Sequence, residues 1–336
     1  TGCSFQADEN WLYGGRHPVI LAELPVEVPG VAIDRACSSS MMAIAMGAME
    51  VQSQNSDVVM CGGMEHMTHV PITNNPHIQP NHKIMLKPEY LKYKMNIGYN
   101  MGLTAEKLAD ESGITREEMD EYALRSHKLA SKANNEGYFR DEILPLDVEH
   151  DGEIVTVMED QSIRKDTDID QLTKLNPVFK TNGVITAGNS SPLNAGASMM
   201  LIMNERQLKE QDIEPRAKIK SLSWVGVDPS VMGKGPVPAS KKALKKANLK
   251  VEDVDYWEIN EAFAVVALYA INELKINIDK VNIHGGSIAI GHPLGATGTR
   301  ITGTLLRILE EKNAGIGVAT LCVGGGQGFS IIIERN

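Results

Sequence analysis

The sequence predicts an α/β protein with two similar halves, each a mixed, mostly parallel sheet covered by helices, and a helical segment inserted between them. Three observations predict it. Strand-like apolar runs alternate with amphipathic helical patterns near the start and again from Arg216 onward, which is how helix-covered parallel sheets read. Between them, from His69 to Phe179, charged and polar residues dominate and the strand pattern stops. An apolar strand leading to a reactive residue at a helix start occurs before Ser38 and again before Pro293, an internal echo that suggests two halves of one design.

Taken in order, the stretch to about Thr68 combines short apolar runs with one helix. The inserted segment opens with Pro71, Asn74, Asn75 and Pro76, residues that punctuate rather than continue regular structure. Its best helix starts at Thr115, whose hydroxyl caps while Glu118 reaches back. Met119, Tyr122, Ala123, Ser126, Leu129, Ala130 and Ala133 then share one face, and Gly137 ends it. Ser198 to Met203 reads as a buried strand. Lys218 to Val225 and Asp255 to Ile259 read as strands, Ser240 to Ala247 and Glu261 to Leu274 as helices.

With 336 residues, 42% of them hydrophobic, the chain exceeds what one compact core organises, and two or three domains are expected. Acidic residues outnumber basic ones 43 to 33, for a net charge of −10, which argues against a general nucleic-acid binder. No apolar run reaches the roughly eighteen residues of a spanning helix, and Thr1-Gly2-Cys3 does not open like a signal peptide. The four cysteines, Cys3, Cys37, Cys61 and Cys322, form neither a disulfide scaffold nor a C-x-x-C pair, so reduced thiols in the cytoplasm are expected.

Four segments carry chemistry. In Val31-Ala-Ile-Asp-Arg-Ala-Cys37-Ser-Ser-Ser, Cys37 stands near a helix N-terminus, where free N–H groups and the helix dipole favour a thiolate and offer an oxyanion donor. A small buried hydrophobe explains the same local pattern. Asn282-Ile-His-Gly-Gly-Ser-Ile-Ala-Ile-Gly-His292-Pro-Leu-Gly-Ala-Thr-Gly298-Thr-Arg sets a histidine among glycines just before a helix. Pro293 holds His292 out of helical geometry, so its imidazole can serve as a general base, with His284 as the alternative or as a hydrogen-bonded core residue. Gly317 to Ile333 reads strand, glycine turn, strand, presenting Cys322 and free backbone N–H groups. No helix follows those glycines, which argues against a dinucleotide-type phosphate loop. Asn260 ends a strand at a helix start, where its amide can hold a water or merely cap the helix.

Together these segments resemble the thiolase family over essentially the whole chain. Glu65-His-Met-Thr-His-Val-Pro71, Asp228-Pro-Ser-Val-Met-Gly-Lys-Gly-Pro-Val-Pro-Ala239 and the Ser-Ser-Met after Cys37 bring it closest to degradative 3-ketoacyl-CoA thiolases, the β subunits of bacterial fatty-acid-oxidation complexes. The resemblance implies the thiolase fold, two αβαβα-layered halves plus a helical loop domain. Residues 1–68 and 194–214 would form the first half, 69–193 the loop domain over coenzyme A, and 215–336 the second half. It implies thiolysis of 3-ketoacyl-CoA by coenzyme A, which is a substrate, with no tightly bound cofactor. Cys37 would accept the acyl group and His292 would activate it. Asn260 would hold a water beside His292, Cys322 would shuttle the proton, and the amides of Cys37 and Gly324 would form a second oxyanion hole.

Met101, Ser191, Met232 and Phe263 match pantetheine-contacting positions. A homodimer or dimer of dimers, and a multifunctional β-oxidation α subunit, are the implied partners. Lys241, Lys242, Lys245 and Lys246 either meet coenzyme A phosphates or form a solvated helix face. The spacings of His66, His69, His77 and His82 fit no standard zinc pattern, so no metal is expected.

Three departures from the family stand out. Asp34 occupies a usual asparagine position and, close to Cys37, would oppose thiolate formation. His284 stands where asparagine is common. The family's opening strand and helix, with any targeting segment, are expected to be absent. The other functions in view are a biosynthetic acetoacetyl-CoA thiolase and a non-catalytic acyl-CoA or lipid-binding protein of the same fold.

Overall fold

The computed structural model describes residues 1–72, 75–78 and 81–335. Its strands are β1 Val58–His66, β2 Leu146–His150, β3 Glu153–Val157, β4 Ala195–Met203, β5 Lys218–Gly226, β6 Tyr256–Ile259, β7 Ile316–Val323 and β8 Gln327–Glu334. Its longer helices are α1 Ser39–Gln52, α2 Met101–Ser112, α3 Arg116–Asn135, α4 Pro236–Ala247, α5 Ala264–Leu274 and α6 Leu294–Glu311. Asn74 lies outside the described residues.

Of the three described sheets the four-stranded one is mixed, as expected, while β1–β4 and β2–β3 are wholly antiparallel pairs, so parallel pairing is the minority. β1–β4, β5–β8 and β7–β8 run antiparallel and β6–β7 parallel, in the order β5-β8-β7-β6. The glycine turn decides this. Gly325 and Gly326 take φ of 78° and 82°, so β8 folds straight back on β7 as a hairpin, whereas β6 reaches β7 only by a crossover through α5 and α6. Isolated parallel bridges join Gly2 to Ile33 and to Gly63.

Locally coded features of the insertion are present. Thr115 and Glu118 form the reciprocal capping box of α3, and Gly137 follows the helix at φ 80°. Met119, Tyr122, Ala123, Ser126, Ala130 and Ala133 are buried along one face. The insertion is not purely helical, however: β2 and β3 form an exposed hairpin around Asp151 and Gly152, at φ 51° and 81°. Asp-Gly with both residues at positive φ is a strong hairpin signal, and here it overrides the polar composition.

Strand β7 joins two cores by its alternation. Val318 and Cys322 face a cluster with α3, α4 and α5, while Ala319, Leu321 and Val323 face one with α1, α6 and Cys37. In contrast, β4 is not the buried strand its composition predicts. Met199 and Leu201 are 50% and 57% exposed and share an open face with Val58 and Met60 of β1. No helix among the described residues is long and apolar enough to cross a membrane.

Candidate active site

Cys37 sits in a single 3-10 turn, Ala36–Ser38, immediately before α1. Ala36 adopts φ 44°, uncommon for a residue with a Cβ, and several bonds hold it there. The Asp34 carboxylate accepts from the Ala36 N–H at 2.9 Å, the Ser39 hydroxyl donates to the Ala36 carbonyl at 2.7 Å, and the Ser38 hydroxyl donates to the Arg35 carbonyl at 3.0 Å. The departure at Asp34 thus has a local structural task.

The helix start does not lower the Cys37 pKa as expected. Burial pushes the thiol up to about 11, outweighing the backbone N–H groups of Gly324 and of Cys37 itself, which pull it down. Glu65 and Asp34 add to the rise by like-charge repulsion, as expected for Asp34, but only as the smallest contributions. Cys37 rests as a thiol and needs a base.

His292 is 4% exposed and fixed on every side. Its backbone N–H donates to Asn194 Oδ1 at 3.1 Å, its Nδ1 lies 2.6 Å from Thr297 Oγ1, and its Nε2 lies 3.3 Å from Asn260 Nδ2. The Thr297 hydroxyl donates its one proton to the Pro293 carbonyl at 2.8 Å, so it accepts from His292, placing the imidazole proton on Nδ1 and the lone pair on Nε2. Burial, then the Arg300 charge, hold the imidazole down to about 3, hence neutral.

Asn260 is not a helix cap. Helix α5 starts only at Ala264, with extended Phe263 capping it without a side-chain bond, so Asn260 is free to turn to His292 and to accept from the Ser287 hydroxyl at 2.6 Å. Its backbone N–H donates to Thr320 at 2.9 Å, anchoring it two residues from Cys322 on β7.

The helices carrying these turns meet at their starts. The Thr299 N–H donates to Ser40 Oγ at 3.0 Å, and a Cβ at Gly298 would collide with Met41. Buried Glu65 reinforces the junction, accepting from the N–H groups of Ser4, Phe5 and Gly295 and from the Asn10 amide. Cys322, fully buried, has its pKa raised by burial first and then by the neighbouring Cys37 sulfur, so the two thiols share one site.

Met101, at the start of α2, brings the inserted segment to this site, its sulfur 3.5 Å from where a Cβ on Gly324 would stand. Met232 and Phe263 belong to the same core as Cys322, and Ser191 donates to the Ala262 carbonyl beside Phe263. His284 is elsewhere, its Nε2 2.6 Å from Glu311 Oε2 and its ring on Tyr138. Lys242 and Lys246 donate to carbonyls of β5, as members of an exposed helix face. His66 and His69 stack beside Glu9, with ligand atoms of all three within 4.8 Å, and the His66 Nδ1 accepts from the His69 N–H. These contacts pair imidazole with carboxylate and tie the start of the chain to the end of β1.

The residues missed by sequence reasoning are Ser287, Thr297, Arg300 and Asn194, which orient Asn260 and His292. Three of them lie in the stretch already singled out, where hydroxyls beside a buried histidine are the usable signal.

Models of the thiolase N-terminal domain and the thiolase C-terminal domain match residues 1–206 and 213–335. The chain is 44% identical to a 3-ketoacyl-CoA thiolase of Marinobacter nauticus, over 99% of this chain and 85% of that one. Human mitochondrial 3-ketoacyl-CoA thiolase superposes with a TM-score of 0.89 at 37% identity, covering 100% and 86% of the two chains, and its complex with CoA gives 0.88, covering 100% and 85%. The acetyl-CoA acetyltransferase of Bacillus anthracis gives 0.88 at 38%, covering 100% and 86%. Two cysteines, a neutral histidine and an oriented asparagine at one helix junction, in a chain matched by both domain models, make this protein a member of the thiolase family.

Proposed function

We propose that the protein is a 3-ketoacyl-CoA thiolase, an acetyl-CoA C-acyltransferase of fatty-acid degradation. The observation that carries this is the convergence of Cys37, Cys322, His292 and Asn260, alongside long 3-ketoacyl-CoA thiolase relatives. The His292 lone pair at Nε2 takes the Cys37 proton, and the sulfur attacks the 3-keto carbon. The bond to the α-carbon then breaks, leaving an acyl-Cys37 thioester and the acetyl-CoA enolate, which Cys322 protonates at carbon. Cys322 next accepts the proton of a fresh coenzyme A, whose sulfur takes the acyl group, and Cys37 leaves as a thiolate that regains its proton from His292. Two raised thiol pKa values suit this cycle, since neither group is ionised until a partner receives its proton.

Protonated His292, with a water on Asn260, meets the thioester oxygen that becomes the enolate, and the N–H groups of Cys37 and Gly324 form the second oxyanion hole. Coenzyme A is the acyl carrier, and its pantetheine arm runs past Met101, Ser191, Met232 and Phe263. Residues 69–193 form the loop domain over it, between a first half of 1–68 and 194–214 and a second half of 215–336. A homodimer is the expected assembly, and the open apolar face of Val58, Met60, Met199 and Leu201 supports association with another surface. Four free cysteines are in keeping with a reducing cytoplasm.

Incubation with coenzyme A and a 3-ketoacyl-CoA chain-length series, following acetyl-CoA release, tests the reading. Cleavage of long and medium chains supports it, cleavage of acetoacetyl-CoA alone points to the short-chain enzyme, and binding without turnover overturns catalysis.

A further inference from the structure

Behind Asn260 a chain of hydrogen bonds has only one possible direction. Arg300 Nη2 lies 2.7 Å from Ser287 Oγ, Ser287 Oγ lies 2.6 Å from Asn260 Oδ1, and Asn260 Nδ2 lies 3.3 Å from His292 Nε2. A guanidinium has no acceptor, so it donates to the hydroxyl; the hydroxyl's single proton is then directed to the carboxamide oxygen. With its oxygen occupied, Asn260 presents N–H to His292. The Ser287 hydroxyl is the acceptor Arg300 has among the described residues, since Arg300 Nε and Nη1 are buried without a hydrogen-bond partner. Ser287 and Asn260 are each 1% exposed, so water does not compete for these bonds.

We propose that Ser287 is a positioning residue, which, polarised by Arg300, locks the Asn260 carboxamide with its N–H2 toward His292 and the water that meets the substrate oxygen. Without the hydroxyl, the carboxamide loses its anchor and flips between two orientations of similar shape. Flipped, its oxygen faces the Nε2 lone pair, repelling it and favouring the imidazole tautomer that carries the proton on Nε2. Such a tautomer cannot take the Cys37 proton. Flipped, Asn260 also offers an acceptor where the transition state needs a donor. Arg300 adds a positive end to the chain, and the same charge helps hold His292 neutral.

The kinetic part of this proposal rests on the thiolysis reading; the tautomer part does not. Ser287→Ala is expected to lower kcat by about 10- to 100-fold, less than the loss of a direct oxyanion donor, with KM for coenzyme A unchanged. Ser287→Cys, similar in size but a weak donor, is expected to fall between the two. In an Asn260→Ala background Ser287→Ala is expected to cost nothing further, because residues acting through one another are not additive. Nitrogen-15 chemical shifts of His292 are expected to show the Nδ1–H tautomer in the wild type and a mixture in Ser287→Ala. Full kcat in Ser287→Ala, additive losses in the double variant, or an unchanged His292 tautomer would each overturn the proposal. A wild type that cleaves no 3-ketoacyl-CoA overturns the functional reading alone, and the nitrogen shifts still decide the relay.

Discussion

The turns at Cys37 and His292 look alike in sequence, each ending at the start of a long helix, yet the protein handles them differently. The Cys37 turn is held by its own backbone and adjacent side chains, with Ala36 at positive φ, and the nearby groups that favour its charged form are peptide N–H groups. The His292 turn is held by side chains from distant segments, Asn194 and Asn260, besides the local Thr297. Burial keeps both groups neutral, against the N–H groups of Gly324 and Cys37 in one case and with the help of Arg300 in the other. Placement at a helix start therefore sets where a reactive group points, and its environment sets its charge.

Removing each group should break the comparison by a different amount. Cys37→Ala is expected to lower thiolysis by at least about 10⁴-fold, read as acetyl-CoA release at saturating substrate. His292→Asn is expected to cost about 10²- to 10⁴-fold, the range for a lost general base. A single-turnover assay should show that acylation itself is slowed.

His292 should also leave a signature in stability. The unfolded imidazole titrates near 6.5 and the folded one near 3, so below pH 6.5 the unfolded chain takes up a proton that the folded chain refuses. Stability is therefore lost progressively as pH falls from about 6.5 to about 3, by at most about 5 kcal/mol. Denaturant unfolding across that window should show a shallower acid limb in His292→Asn. Some slope should persist, because burial also lowers His127 to about 4.

The smallest effect is expected at Asp34. Its charge is the last contributor to the Cys37 shift, and an asparagine oxygen can still accept from the Ala36 N–H. Asp34→Asn should keep turnover within about threefold and lower the pH midpoint of Cys37 alkylation by less than about one unit. Asp34→Ala, which removes the acceptor as well, should destabilise the protein by about 1 kcal/mol in the same unfolding assay.

What the sequence discloses follows the range of the interaction. The Thr115 capping box needs four adjacent residues and was legible, as were Asn260 and Cys322 at strand ends. The strand expected before Pro293 is instead a short helix, Ser287–Ile290, and an isolated bridge at Ile33, not a strand, precedes Cys37. The Asp151-Gly152 hairpin was equally local, but the polar composition around it hid the signal. Pairing direction in the sheets was not legible, because β5 meets β8 across roughly a hundred intervening residues and no local pattern states the partner. Nor was the rise in the Cys37 pKa, since desolvation comes from packing by other segments. The Ser287 hydroxyl stood in plain view, but its bond to Asn260 bridges 27 positions.

The most direct test is to mix the protein with a long-chain 3-ketoacyl-CoA in the absence of free coenzyme A, quench, digest and locate the acyl group by peptide mass spectrometry. One acyl group per active chain is expected, on the peptide containing Cys37, discharged when coenzyme A is added. An acyl group on Cys322 instead, or acetyl-CoA release with no adduct on Cys37, would contradict the acyl-Cys37 cycle.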